Sequence, residues 1–133
     1  TRPTPITVLG RDMVAWRGGT RLSDDEPTWS VFMDRCPHRC APLSEGRIEE
    51  DGHLMCSYHG WRFEPGTGAC TSIPQLEQDD FERAAADPRS CVKVYPSQVR
   101  HGVLFVWPTH GADAALRAAA TPLPLLPELV ELE

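Results

Sequence analysis

The chain has 133 residues, the length of one domain, and a chain of that length buries enough surface to fold unaided. Its 13 Lys and Arg against 19 Asp and Glu give a net charge of −6, which argues against a nucleic-acid binder. No apolar run approaches the roughly 18 residues of a membrane span, and 13 Pro with 10 Gly favour a loop-rich β protein over a helical bundle.

Short extended segments alternate with turn residues along the chain. The predicted strands are Pro5–Leu9, Met13–Arg17, Trp29–Met33, Arg47–Glu50, His53–Met55, Cys70–Ile73, Cys91–Tyr95 and Val99–Trp107. Asp51-Gly52 predicts a type I′ hairpin turn, and Gly102 predicts a bulge inside the last strand. Segment Gly18–Thr28 is predicted to be an exposed connection, and Cys56–Phe63 an irregular loop.

Helical signals are confined to the second half of the chain. One or two turns are predicted within Gln75–Ala86, and a short helix over Ala112–Ala120. The tail Pro122–Pro127 reads Pro-Leu-Pro-Leu-Leu-Pro, which excludes an ordinary helix or central strand. We therefore expect one domain over residues 1–127, with 128–133 as the start of a linker or a cloning remnant. A start at Thr1 without Met or leader favours a fragment of a longer protein.

Two Cys-His clusters flank the predicted Asp51-Gly52 hairpin. They are Cys36-Pro37-His38 and, seventeen residues later, Cys56-Ser57-Tyr58-His59. A hairpin brings its two ends together, so both clusters should meet at one end of a small sheet. Zinc is the main alternative, but structural zinc sites usually pair Cys with Cys and His with His. One Cys and one His from each loop fit a binuclear iron–sulfur centre better.

The flanking residues sharpen this interpretation. The segments RCPHRCAPLSEGRI and CSYHGWRF resemble the Rieske [2Fe–2S] domain of plant and algal oxygenases, the group of pheophorbide a oxygenase, chlorophyllide a oxygenase and the Rieske protein of the chloroplast inner-envelope translocon. TVLGRDMVAWR and VLFVWP extend the likeness more loosely to both sides. The resemblance implies an all-β Rieske fold, in which a small cluster-binding subdomain at about 35–73 is inserted into an antiparallel β-sandwich or barrel-like base.

The resemblance also implies the site and its partners. Cys36, His38, Cys56 and His59 would hold a [2Fe–2S] cluster, with both thiolates on one iron and both imidazoles on the other. The cluster would accept an electron from a ferredoxin or reductase and pass it to a mononuclear non-haem iron in a downstream oxygenase domain. A chlorophyll-derived tetrapyrrole is the expected substrate and the chloroplast the expected location. The chain alone is not expected to be catalytic. A free-standing Rieske ferredoxin is the alternative.

The remaining cysteines and histidines are predicted not to be cluster ligands. Cys40, Cys70 and Cys91 are predicted to be structural thiols, because free Cys is often buried. High-potential relatives join their two loops by a disulfide, but Tyr58 stands where the partner cysteine would fall, so no bridge is expected. Trp61 replaces the Ser of those relatives, which favours a low potential. His53, His101 and His110 are predicted to be surface or strand-end residues, and Trp61 and Phe63 to pack beneath the second loop.

Overall fold

A computed structural model describes residues 2–18, 28–37, 41–100 and 102–122, and of Thr28 only the backbone. These residues confirm the all-β prediction, because every strand pairing is antiparallel and the helices are short. In chain order the strands are β1 Thr4–Val8, β2 Arg11–Gly18, β3 Thr28–Met33, β4 Arg47–Ile48, β5 Leu54–Met55, β6 Arg62–Phe63, β7 Cys70–Ser72, β8 Val94–Tyr95, β9 Ser97–Arg100 and β10 Val103–Val106.

The strands form two four-stranded sheets and a hairpin. The order β1-β2-β3-β8 makes a central sheet, β4-β5-β6-β7 makes a loop-bearing sheet, and β9 pairs with β10. The loop-bearing sheet falls within the subdomain that the sequence predicts at about 35–73. Its strands have only two or three residues each, so their positions depend on packing against the central sheet.

Strand β2 shows how the central sheet packs between the loop-bearing sheet and the hairpin β9–β10. Four consecutive residues, Met13 to Trp16, are buried, although the side chains of a strand alternate between two faces. Val14 and Trp16 belong to one core together with Phe63 of the loop-bearing sheet. Met13 and Ala15 belong to a second core, against which β10 packs. The central sheet is therefore covered on both faces, which requires the continuous apolar run of β2.

Two tight turns differ from the sequence prediction. Gly52 has φ +86°, as expected, but Glu50 and Asp51 do not have positive φ. Glu49 pairs with His53, and the Gly52 N–H donates to the Glu49 carbonyl at 2.9 Å, so the loop has three residues. This is a type I turn followed by a left-handed glycine, and the type I′ prediction is wrong.

The two-residue turn with positive φ at both positions lies elsewhere. Leu9 and Gly10 have φ +50° and +76° and join β1 to β2, whose residues Val8 and Arg11 are directly paired. Leu9 is 80% exposed, so the turn leaves its apolar side chain in solvent. The sequence predicts a hairpin of these two strands joined by Gly10-Arg11-Asp12, and the pairing of β1 with β2 confirms the hairpin. Leu-Gly lacks the Asn or Asp that usually marks a two-residue turn, so the pattern did not predict the turn type.

The predicted strand Val99–Trp107 is wrong as a single element. Val103 pairs with Arg100, so the chain reverses between these two residues and the segment folds as the hairpin β9–β10. Gly102, with φ +75°, lies in that turn and is not a bulge. The predicted strand Cys91–Tyr95 shortens to β8, and part of the predicted loop Cys56–Phe63 is strand β6.

The two helices fall where the sequence predicts helical signals. Helix α1 covers Gln78–Ala86 and α2 covers Ala112–Ala120, and short 3-10 helices cover Leu43–Glu45 and Pro88–Ser90. Neither α-helix in the described ranges has the length and apolar character to cross a membrane. His38, Cys40, His101, residues 19–27 of the predicted connection and the tail after Pro122 lie outside the described residues.

Candidate metal centre

The first Cys-His loop begins directly after β3 and is closed by a backbone hydrogen bond. The Cys36 N–H donates to the Ala41 carbonyl at 2.7 Å, so the loop leaves and returns at one point. Cys36 and Ala41 are both buried, whereas Pro37 is half-buried. The loop is thus anchored at its Cys end, and His38 belongs to the part outside the described residues.

A carboxylate outside this closed loop ties its two flanks together. Asp34 precedes the loop and accepts two hydrogen bonds from Ser44, which follows it. The Ser44 N–H donates to Asp34 Oδ1 at 2.7 Å, and the Ser44 hydroxyl donates to Oδ2 at 2.6 Å. Both residues are half-buried, where hydrogen bonds to a charged group are stronger than in open solvent. The pair acts as a clasp on the base of the first loop.

The second Cys-His loop repeats the same closure. The Cys56 N–H donates to the Trp61 carbonyl at 2.8 Å, and the Gly60 N–H donates back to the Cys56 carbonyl at 3.1 Å. Cys56 is fully buried, whereas Tyr58 and His59 are exposed. In both loops the cysteine donates its N–H to the residue five positions later, so the two loops have matched necks.

The segment after β7 covers the second loop. The Gln75 side-chain amide donates from Nε2 to the His59 carbonyl at 2.6 Å. Pro74 lies over Gly60, where a Cβ would come within 3.4 Å of Pro74 Cγ. Together these contacts fix the backbone on which the His59 imidazole is carried. Sequence reasoning missed Gln75, which no local pattern marks.

The structure places two of the four predicted ligands together. Cys36 and Cys56 are both fully buried in one core cluster, which also contains Leu43 and Leu54. No three Cys, His, Asp or Glu side chains within the described ranges form a metal-binding group. Cys36, Cys56 and His59 are described and do not form such a group, and His38 lies outside the described residues, so the set of four stays a prediction from sequence.

Cys70 and Cys91 have surroundings that suit a structural role, and Cys40 lies outside the described residues. Cys70 lies in β7, is 6% exposed, and its sulfur lies 3.7 Å from the Ser72 carbonyl oxygen, to which it donates. Burial raises the pKa of the Cys70 thiol to about 11, which disfavours the thiolate that a metal ligand must supply. Cys91 is half-buried at the end of the second 3-10 helix.

Two histidines and two aromatic residues outside the predicted ligand set also have defined surroundings. His53 is half-buried with its Nδ1 2.9 Å from the Thr71 hydroxyl, and His110 is exposed and packs edge-on against Tyr95. Phe63 is fully buried in the core beneath the two loops, and Trp61 packs against that core. The placement agrees with the packing role predicted for both aromatic residues.

The chain matches known proteins over most of its length. The family model of the Rieske [2Fe–2S] domain matches residues 1–96. Pheophorbide a oxygenase, chloroplastic, of Arabidopsis thaliana is 48% identical over 95% of this chain. Flavonoid 8-hydroxylase 2, chloroplastic, of Ocimum basilicum is 47% identical over 80% of it. Among solved structures, dicamba monooxygenase bound to dicamba superposes with a TM-score of 0.67 and 32% identity over 91% of this chain.

The relatives are much longer than this chain. It spans 22% of the Arabidopsis protein, 20% of the Ocimum protein and 31% of the dicamba monooxygenase chain. The matched region is therefore the iron–sulfur module of larger oxygenases. The fold, the two Cys-His loops and the family match together show that the chain belongs to the Rieske [2Fe–2S] domain family.

Proposed function

We propose that Cys36, His38, Cys56 and His59 ligate the [2Fe–2S] cluster of this domain. The observation that carries the proposal is the matched pair of loop necks, each beginning with a fully buried cysteine in the same core cluster. Two thiols and two imidazoles are the donors that a Rieske centre takes. The cluster, once bound, supplies one-electron transfer.

The chain's own residues give the two sides of the centre different surroundings. Cys36 and Cys56 start their loops inside the apolar core, where water is excluded and a sulfur is shielded. His59 is exposed, and its backbone is held by Gln75. An electron that leaves through an exposed imidazole reaches a docked partner over a short distance. His59 therefore marks the face that a partner contacts.

The domain is proposed to serve as the electron-transfer part of an oxygenase. It accepts an electron from a ferredoxin or reductase and passes it to a mononuclear non-haem iron, held by a domain that this chain does not contain. The similarity to long oxygenases, of which the chain covers about a fifth, supports this role. The relatives named above are an oxygenase, a hydroxylase and a monooxygenase, and none of them favours a free-standing ferredoxin as a second function.

A chlorophyll-derived tetrapyrrole is the proposed substrate of the whole protein, and the chloroplast its proposed location. Support comes from 48% identity to the Arabidopsis pheophorbide a oxygenase and 46% to that of Oryza sativa subsp. japonica. The 47% identity to a flavonoid hydroxylase makes a flavonoid the competing substrate class. Incubation of the full-length protein with reduced ferredoxin, oxygen and either pheophorbide a or a flavone distinguishes them. Turnover of the flavone alone would contradict the proposal.

The ligand assignment is tested by substitution. Cys36→Ser and Cys56→Ser are expected to lose the cluster, because a hydroxyl is a far poorer soft-metal ligand than a thiolate. Iron and acid-labile sulfide are measured per chain, together with the electron paramagnetic resonance signal of the reduced protein. Cys70→Ser is the matched control, since Cys70 is another buried thiol in the same core. Cys40→Ser and Cys91→Ser are also expected to keep the cluster.

The two histidines need a readout other than cluster content. His38→Cys and His59→Cys can still hold iron, but each replaces a neutral ligand by an anionic one. The added negative charge lowers the reduction potential. A retained cluster with unchanged potential in either variant would show that the histidine is not a ligand.

A further inference from the structure

A groove lies outside the Cys-His loops, and none of its lining residues belongs to either loop. It runs between the hairpin β9–β10 and helix α2 and has a volume of about 520 Å³. Phe105 and Trp107 line one wall, and Ala115, Ala118 and Ala119 line the other. These alanines recur at helical spacing, so their small side chains share one face of α2. Ala115 and Ala119 are exposed there.

Trp107 adds a polar requirement to this apolar groove. Its backbone N–H donates to the Pro96 carbonyl at 2.8 Å, which fixes the residue against the groove floor. Its indole N–H is buried and has no hydrogen-bond acceptor in the part of the chain that the structure describes. A buried N–H without an acceptor is unfavourable, so an occupant of the groove that brings a carbonyl group gains more than apolar contact.

The chain itself carries a segment of matching chemistry at the groove's end. Pro122 lines the groove and is the last described residue. Positions 123–127 follow it and read Leu-Pro-Leu-Leu-Pro, without a charged side chain. Prolines lack the N–H of a helix or strand ladder and favour the extended polyproline conformation, whose carbonyl groups are left unpaired. Aromatic-lined grooves are the usual binding sites for such segments.

We propose that residues 123–127 of this chain occupy the groove between α2 and β10, with a backbone carbonyl of the segment accepting the Trp107 indole N–H. An extended polyproline segment advances about 3.1 Å per residue, so five residues span about 15 Å. Helix α2, with nine residues, is about as long. Its length and its start at Pro122 let the segment lie along the groove. Neither the cluster nor the oxygenase role enters this inference.

The test uses the 133-residue chain with its oxidised cluster. Nuclear Overhauser contacts are expected between the Trp107 indole proton and the methyl groups of Leu125 or Leu126. The double variant Leu125→Asp/Leu126→Asp removes those methyl groups, so its readout is the Trp107 indole signal, which should shift because two charges do not enter an apolar groove. Leu132→Asp, beyond the segment, is the control and should keep both. The variants change only the tail, so the folding of the domain does not enter the comparison.

Three outcomes would overturn the proposal. One is the absence of the contacts in the unsubstituted chain, which leaves the groove to a downstream domain. The second is an unchanged Trp107 indole signal in the double variant. The third is the appearance of the contacts only between differently labelled molecules in a mixed sample, which makes a second copy the occupant.

Discussion

At the scale of single residues, burial does not separate the predicted ligand cysteines from the structural ones. Cys36, Cys56 and Cys70 are all buried in the same core cluster. They differ in backbone position. Cys36 and Cys56 are each the first residue of a loop that a backbone hydrogen bond closes, whereas Cys70 lies in a strand. In the sequence, the spacing of the Cys-His clusters distinguishes the predicted ligand cysteines from Cys70. Cys and His residues at fixed intervals indicate a site, whereas composition alone does not.

The raised pKa of Cys70 has a consequence for alkaline stability. The thiol pKa is about 11 in the folded protein against 9.0 ordinarily, chiefly through burial, so the folded state keeps a proton that the unfolded chain releases. The contribution is complete below about pH 9 and is lost as pH rises toward 11, an effect on the order of 2 kcal/mol. Thermal midpoints from pH 8 to 10.5 should fall less steeply in Cys70→Ala than in the original chain. Equal slopes would refute the assignment, and Cys91→Ala, which retains Cys70, is the control.

The Asp34–Ser44 clasp predicts a second residue-scale effect. Asp34→Ala removes two hydrogen bonds to a carboxylate and leaves the Ser44 N–H without its acceptor. The free energy of unfolding should fall by roughly 2 kcal/mol, and the first loop should open more often. Release of iron to a chelator should therefore accelerate. Asp51→Ala removes a carboxylate that accepts from His53 and Arg62 at the hairpin turn, and it should not accelerate that release. Equal release rates in the two variants would mean that the clasp does not control the loop.

The sequence predicts the ligand candidates but not the groups that hold them. Asp34 and Ser44 are ten positions apart, and Gln75 is sixteen positions from His59. These pairs meet only because the loops close and the chain returns over them. A motif records spacing within one loop, whereas such contacts depend on the tertiary fold.

At the scale of elements, the loop-bearing sheet and the segment before β8 are in close backbone contact at Gly68 and Val92. The Val92 N–H donates to the Gly68 carbonyl at 2.9 Å, and Gly68 has φ +72°. A Cβ on Gly68 would lie 2.5 Å from the Val92 carbonyl oxygen. Backbone cannot move away as a flexible side chain does, so only glycine fits here.

Gly68→Ala is therefore expected to be strongly destabilising. Gly66 has a similar positive φ but nothing within 4 Å of its Cβ position, so Gly66→Ala isolates the backbone cost of about 1–2 kcal/mol. Gly68→Ala adds overpacking, which should cost about 1–3 kcal/mol more. Urea unfolding of both variants measures the difference. Indistinguishable midpoints would show that the two segments separate easily.

The errors in element prediction have a common physical origin. Val99–Trp107 reads as one strand because its apolar content continues across the turn at 101–102, and hairpin pairing is decided by tertiary contacts. Asp51-Gly52 marks a turn correctly, but a dipeptide does not fix the loop length, which register does. Helix α2, predicted at its observed bounds, has a local signal in its run of alanines.

At the scale of the whole molecule, one core joins the layers. The cluster that holds Cys36 and Cys56 also contains Trp16 and Phe32 of the central sheet, whose rings pack edge-to-face at 5.3 Å. The loop-bearing sheet has strands too short to be stable alone, so it depends on this shared core. Sequence reasoning expected an inserted subdomain on a base, and residues of both belong to this shared core.

The shared core predicts that the metal centre and the base unfold together. On heating the cluster-loaded protein, the visible absorbance of the iron–sulfur chromophore and the far-ultraviolet circular dichroism should change over the same temperature range at one scan rate. Phe32→Ala, which leaves a cavity under both layers, should lower both transitions together, by about 3–5 kcal/mol in the free energy of unfolding. Val99→Ala is the control and should leave both nearly unchanged, because Val99 of β9 is 46% exposed. Loss of the chromophore well below the change in circular dichroism would mean that the loop-bearing sheet opens by itself, and that the core does not couple it to the base.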